Sequence, residues 1–338
     1  MKKIDVRSAV GMRLGHDITE IRPGFKGVAF RRNHVVSADD IEHLLDIGKR
    51  YVFVLDDSDN EIHEDECAGR MAAALHISGG HCEGPSEGKM VLVSDSSGLF
   101  VLDRELLSSV NSIDDITVTS IPSHFPIKPG DRIASMRIVP LATPEKNILA
   151  FEKLCADRKL FDIFSYKRLK TGIVITGSEI YHGRREDRFE NVLRSKLKNY
   201  PGEVLGATIC DDSSHMIVSA AEKFLEAGAD FLIFTGGMSV DPDDVTPSAI
   251  RQLGADIVSH GVPAQPGNMT MLAYLGNVTV LGVPGAAAAL PVTILDVMLP
   301  QIFAGVKFTP EDLKNMAEGG LCMQCRTCHY PCCTFGRY

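Results

Sequence analysis

The chain has 338 residues, 44% of them hydrophobic and 23% charged, which is ordinary for a water-soluble globular protein and long enough for two modules with an appendage. A net charge of −9 repels a nucleic-acid backbone or an anionic membrane, so neither is an expected partner. The N-terminal MKKIDVRSAV has two lysines and no apolar stretch behind them, so it does not read as a secretory signal, and the cytoplasm is the expected compartment.

In chain order, Ala38 to Lys49 has helical spacing and YVFVL at 51–55 reads as a short strand. A second helix is predicted over 63–74. From 88 to 141, the runs KMVLVSD, GLFVLD, DITVTSIP and RIASMRIVPL, separated by Gly, Pro, Asn and Asp, predict a mainly β region, about 85–142, within a mixed N-terminal part covering 1–167. Residues 143–168 read as one bridging helix.

From 168 to 306 strand and helix alternate. KTGIVITGSE (170–179), VLGATICDD (204–212), ADFLIFTGG (229–237) and NVTVLGVPG (277–285) are buried strands, and helices follow around 189–199, from Ser213 or Ser214 to Ala227, and after Thr246-Pro247, read as N-cap and N1 proline. The last apolar helix ends near Ala304. This alternation predicts an α/β domain, a parallel sheet with helices on both faces. The apolar run 278–306 is broken by Gly282, Pro284, Gly285, Pro291, Asp296 and Pro300, as a buried strand and helix would be and a membrane span would not.

Ligands in such sheets bind outside the carboxyl ends of the strands, where this sequence concentrates its distinctive residues. Thr235, Gly236, Gly237 and Ser239 follow one strand, and Thr176, Gly177, Ser178 and Glu179 another. Both stretches offer hydroxyls and unobstructed backbone N–H groups to a phosphate. Glu179, Asp211, Asp212, Asp241, Asp243 and Asp244 lie at or just beyond strand ends, where carboxylates suit Mg²⁺. Asp212 and Asp243 are the residues best explained as turn formers or caps alone.

These strand ends resemble the molybdopterin-binding domain shared by molybdopterin adenylyltransferases and molybdopterin molybdenumtransferases, over roughly 171–305. T235-G-G-M-S-V-D-P-D-D-V-T246 is similar to the family's TGG-x-S-x-x-x-x-D signature, which puts Asp244 on its acidic position. TGSE at 176–179 resembles TG-[DN]-E, and PGN at 266–268 and VPGAAAAL at 283–290 resemble the two later loops. The resemblance implies molybdopterin or its adenylylated form as ligand, held by Thr176, Gly177, Ser178, Asp211, Thr235, Gly236, Gly237, Ser239, Pro266, Gly267, Pro284 and Gly285. It further implies Mg²⁺ with Asp244 and Glu179 in catalytic roles, a homo-oligomer, and a molybdoenzyme or cofactor-assembly protein as the kind of partner. The pattern departs from the molybdenumtransferases where Gln265 and Asn268 replace lysines and where Ala286, Ala287 and Ala289 stand in the last loop. Besides a transferase-like enzyme, a carrier or sensor of finished cofactor and a nucleotide pyrophosphatase of the competence-damage type remain open readings.

Five of the nine cysteines fall between 322 and 333 in a tail taken to start at 307. Cys322, Cys325 and Cys328 have C-x₂-C-x₂-C spacing, with Cys332 or Cys333 available as a fourth ligand for an iron–sulfur cluster or structural zinc. The whole chain is similar to a branch of molybdopterin-binding proteins that carries such a tail after GGLC, and this resemblance selects Cys333. Having no core of its own, the tail is expected to order around its metal.

Overall fold

The computed structural model describes residues 1–55, 60–238 and 245–337. Their contacts divide the chain into two compact units, the first made of 1–93, 103–120 and 132–161, the second of 94–102, 121–131 and 162–338.

In the first unit, strand Lys2–Asp5 pairs antiparallel with Tyr51–Val54, and Ile18–Arg22 forms a hairpin with Phe25–Phe30. Val6, Leu14, Leu44, Val52 and Val54 fill the core beneath them. Gly80–Ser86, Lys89–Ser94, Arg132–Ile138 and Ile116–Ser120 form a separate four-stranded sheet. Helix Glu64–Ala74 is tied to helix Glu145–Cys155 by the Arg70 guanidinium, which donates to both carboxylate oxygens of Glu152 at 2.7 and 2.8 Å.

Two expectations for this region need correction. The predicted bridging helix stops at Cys155, and Phe161–Ser165 is a strand in a three-stranded sheet with Gly98–Leu102 and Phe125–Ile127. A Cβ on Gly98 would lie 2.4 Å from the Phe164 carbonyl oxygen, so the close approach of these strands requires a glycine. Helix Arg104–Val110 interrupts the expected run of strands, its first turn closed by the Asp103 carboxylate, which accepts from the Leu106 N–H at 2.9 Å.

The second unit is built on a six-stranded sheet. Besides the three-stranded sheet just described, which falls in this unit, its elements are β1 (Leu169–Thr176), α1 (Ser178–Tyr181), α2 (Phe189–Leu197), β2 (Gly202–Cys210), α3 (Ser214–Glu226), β3 (Phe231–Thr235), α4 (Thr246–Gln252), β4 (Asp256–His260), β5 (Met271–Leu275), β6 (Val278–Val283), α5 (Ala286–Ala289), α6 (Ile294–Ala304) and α7 (Pro310–Asn315). The strand order is β2-β1-β3-β6-β5-β4. The first four strands are parallel, as expected; β5 and β4 add an antiparallel edge.

Because helices cover both faces, the central strands carry apolar residues at consecutive positions, Ile173 to Ile175 and Phe231 to Phe234, while the two-residue period still sorts their side chains. Ile173, Ile175, Phe231 and Ile233 point to the face packed by α2 and α6, whereas Val174, Leu232 and Phe234 meet α3 and α4 on the other. Gly172 lets Phe224 of α3 sit against the sheet, since a Cβ there would lie 2.5 Å from the Phe224 ring. Helix α6 starts with a capping box between Thr293 and Asp296, and Asp296 also pairs with Lys196 of α2 at 2.6 Å, both side chains largely shielded.

The tail differs from expectation in having a core to join. Phe308, Leu313, Met316 and Phe335 are buried in the same cluster as α6, and the Tyr330 hydroxyl donates to the Asp296 carbonyl at 2.8 Å. No helix among the described residues is long and apolar enough to cross a membrane.

Candidate functional site

A cleft of about 910 Å³ opens at the carboxyl ends of β1, β3 and β6. Thr176, Gly177, Ser178 and Glu179 form one wall, Gly236 and Gly237 another, and Pro284 and Gly285 a third. Three separate strand ends singled out from the sequence therefore converge on one space, as the topology of an open α/β sheet requires.

The loop after β3 lies hard against the end of β1. A Cβ on Gly236 would be 2.0 Å from the Thr176 carbonyl oxygen, and Gly236 has φ +88°, so both space and backbone conformation call for glycine. A short chain of hydroxyls locks the junction. Thr246 donates to the Gly236 carbonyl at 2.9 Å, and the buried Thr176 and Thr246 hydroxyls are 3.0 Å apart. Thr246 is thus the first residue of α4 and a tie to the glycine loop rather than the helix N-cap expected from the sequence; the N-cap is Val245. The Thr235 hydroxyl is fully buried and has no hydrogen-bond partner among the described residues. A buried polar atom without a partner at a strand end is a common mark of a binding site.

The acidic residues divide. Glu179 is exposed on the cleft wall, beside Gly177. Asp212 also lines the cleft, and its carboxylate accepts from the Ser178 N–H at 2.8 Å, so it joins the ends of β1 and β2 in addition to forming its own turn. Asp211 is turned aside, with His182 Nε2 at 3.4 Å from its carboxylate, and does not line the cleft. Ser239, Asp241, Asp243 and Asp244 lie outside the described residues.

Pro266 and Gly267 are not part of the cleft wall. Pro266 lines a different cavity, beside the tail, and Gly267 packs against Ile294 of α6. From this loop only Met269 reaches the cleft. The loop's backbone is committed to the tail: the Gln265 N–H donates to the Gly320 carbonyl at 2.7 Å, and the Cys322 N–H donates back to Gln265 at 2.8 Å.

Sequence reasoning missed the cations. Arg184, Arg185 and Arg188 line the cleft, exposed, on the connection between α1 and α2. The N–H groups of Arg184 and Arg185 both donate to the Glu179 carbonyl, at 2.9 and 3.0 Å, which turns this segment back over the strand ends. Among the described residues none of the three guanidiniums has an ion-pair partner. The only signal was the run RREDR between two predicted elements; Phe189, beside it, supplies an aromatic ring to the same wall. The cleft thus combines fork-shaped phosphate donors, carboxylates and a glycine loop, the ingredients for binding an anionic ligand with a divalent cation.

The class of protein this defines is an α/β domain with a strand-end anion cleft. Residues 172–304 match a domain family described as "Probable molybdopterin binding domain". Residues 3–56 match a second family, a domain of unknown function. The chain is 32% identical over 90 residues to a CinA-like protein of Mycobacterium tuberculosis, a stretch covering 26% of this chain and 21% of that protein. It is 37% identical over 70 residues to the molybdopterin molybdenumtransferase of Bacillus subtilis, covering 21% of this chain and 16% of the relative. The matched stretches are thus about a fifth of these relatives' own length. Among solved structures, the protein CinA of Thermoplasma acidophilum aligns with a TM-score of 0.36 at 17% identity, over 40% of this chain and 98% of that one. The tungsten cofactor synthesizing protein MoaB of Pyrococcus furiosus aligns with a TM-score of 0.35 at 21% identity, over 40% and 94%.

Proposed function

We propose that the strand-end cleft binds molybdopterin or its adenylylated form through the phosphate, and that the chain acts in molybdenum cofactor biosynthesis as a magnesium-dependent, molybdenumtransferase-like enzyme. The observation that carries this reading is the meeting of the TGSE, GG and PG loops with three arginines in one 910 Å³ cleft. In this assignment the arginines and the glycine-loop N–H groups hold the phosphate. Glu179, together with Asp244 from the segment outside the described residues, holds Mg²⁺ beside it.

The test is titration of the purified chain with molybdopterin and adenylyl-molybdopterin, with and without Mg²⁺ and molybdate, following both binding and AMP release. Molybdate-dependent AMP release supports the transferase, and absence of binding to either ligand refutes the assignment. Replacing Arg184, Arg185 and Arg188 by Gln is expected to weaken binding at least tenfold, about 1.4 kcal/mol, without lowering the melting temperature. Unchanged affinity would remove the arginines from the site.

A second reading, a carrier that binds cofactor without inserting molybdate, is favoured by one observation. Gln265 and Asn268 take the places of the lysines expected in a transferase, and the backbone of Gln265 is engaged with the tail. Tight binding with no AMP release selects it. A third arm, turnover of ADP-ribose, tests the pyrophosphatase alternative that the sequence resemblance left open.

A further inference from the structure

The cysteine tail is untouched by the reading of the cleft, and its geometry is specific. Cys322, Cys325, Cys328 and Cys333 all line one cavity of about 170 Å³; Cys332, next to Cys333 in sequence, does not. The spacing alone left the fourth position open between these two. The cavity decides it, because Cys333 lines it, partly buried against the α6 core, and Cys332 does not.

The loop that carries the thiols is held at both ends. At its start, Gln265 exchanges two backbone hydrogen bonds with Gly320 and Cys322. At its end, Phe335 is buried in the core, and the Gly336 N–H donates to the Gly319 carbonyl at 2.9 Å, closing the segment on itself. The Pro331 carbonyl accepts from both the Cys333 N–H and the Arg337 guanidinium, which places a positive charge beside the thiol that would carry negative charge on ligation. That guanidinium is fixed over the Phe125 ring, 4.3 Å from its centroid.

The cavity also speaks to what fills it. A single zinc with Zn–S bonds of about 2.3 Å would draw four sulfurs to within about 4 Å of one another. Among the described residues no three of His, Cys, Asp or Glu converge closely enough to hold one metal ion. Instead four thiols face a shared space comparable to the roughly 150 Å³ cavity that accommodates benzene. A group larger than one ion, bringing its own bridging sulfides and taking one thiolate per iron, matches this arrangement. The rest of the wall is mostly apolar, with Pro266, Leu290, Pro291, Val292 and Phe335, and also carries Gln324, His329 and Thr334; a largely apolar surround suits a cluster of low net charge.

We infer that Cys322, Cys325, Cys328 and Cys333 bind a four-iron iron–sulfur cluster, and that Cys332 is not a ligand. Each ligating thiol gives up its proton on binding; iron and sulfide come from the assembly mixture, with no change in the oxidation state of the cysteines.

The experiment uses the full chain, purified without oxygen and reconstituted with ferrous iron and sulfide, and measures iron, acid-labile sulfide and zinc per chain together with the visible thiolate-to-iron absorption. About four iron and four sulfide per chain are expected, with zinc well below one. Cys325→Ser removes an exposed thiol that packs in no core, so it is expected to lose the four-iron stoichiometry while leaving the circular dichroism unchanged. Cys332→Ser is expected to retain iron, sulfide and absorption in full. Stoichiometric zinc without labile sulfide, no metal at all, or equal loss in Cys332→Ser and Cys325→Ser would each overturn the assignment.

Discussion

Gly236→Ala is the sharpest single perturbation of the cleft, because the structure supplies its own control. At Gly236 the new methyl would lie 2.0 Å from the Thr176 carbonyl oxygen and 2.8 Å from the Thr176 hydroxyl, so β1 and the β3 loop must separate by more than 1 Å. Left-handed backbone adds about 1–2 kcal/mol for a residue with a Cβ. Forcing a methyl into packed surroundings adds about 1–3 kcal/mol. The expected loss is therefore about 3 kcal/mol. Gly228, after α3, has φ +81° and open space within 4 Å of where a Cβ would stand, so Gly228→Ala carries the backbone cost alone, about 1–2 kcal/mol. Urea denaturation of the two variants, followed by tyrosine fluorescence and circular dichroism, separates the close approach from the backbone conformation. Equal destabilisation would show that the loop does not press on β1 and would refute the derived geometry. A Gly236 variant that keeps its ligand affinity while losing stability would show that the junction supports the fold without shaping the cleft.

Lys196→Met leaves Asp296 without its partner at a largely shielded position and weakens the start of α6, so a loss of about 3 kcal/mol is expected in thermal melts; a loss below about 1 kcal/mol would show that water replaces the lysine. Asp103→Ala removes the cap of helix Arg104–Val110 and is expected to cost about 1 kcal/mol at neutral pH. The Leu106 N–H, and then the Arg158 guanidinium, hold the Asp103 carboxyl below its ordinary range. Its contribution is therefore complete above the unfolded value of about 3.9 and is lost as pH falls through the lower folded value. A stability difference between Asp103→Ala and the parent that does not shrink in acid would contradict this. Burial pushes the Cys67 thiol up to about 12 and the Cys155 thiol to about 11, so iodoacetamide at about pH 8 is expected to spare both in the native, metal-free chain while modifying exposed Cys325, Cys328 and Cys332. Peptide mass spectrometry reads the outcome, and comparable labelling of Cys67 would disprove its burial.

The parallel core was legible because its signal is local. TGIVIT and FLIFT carry unbroken apolar runs, which suit a strand covered on both faces, and each is followed by a glycine turn. The antiparallel edge was not legible. DIVSH at 256–260 is short and half exposed, and its identity as a strand depends on a partner, β5, that lies beyond an intervening loop. Phe161–Ser165 was lost for the same reason, since its pairing with Gly98–Leu102 spans about sixty residues of sequence, and the segment was read as a continuation of the helix before it. Glycines at strand ends announced the cleft, but the arginines did not. Their function depends on a turn made by two backbone hydrogen bonds to the Glu179 carbonyl, and no side-chain pattern encodes that turn.

The loop 265–269 lies where the two candidate sites meet. Pro266 is in the wall of the cysteine cavity, Met269 is in the wall of the strand-end cleft, and only two residues separate them. The loop has little freedom to move at one end alone. Gln265 is paired with the tail, the Pro266 carbonyl accepts from the Ile294 N–H at 3.0 Å, and Thr270 is bonded twice to the Gly267 carbonyl. Gln265 thus joins Cys322 to a hydrogen-bonded turn whose far end, Met269, lines the cleft. Neither Gln265 nor Asn268 lines the cleft, and the positive charge there is carried by Arg184, Arg185 and Arg188 on the connection between α1 and α2.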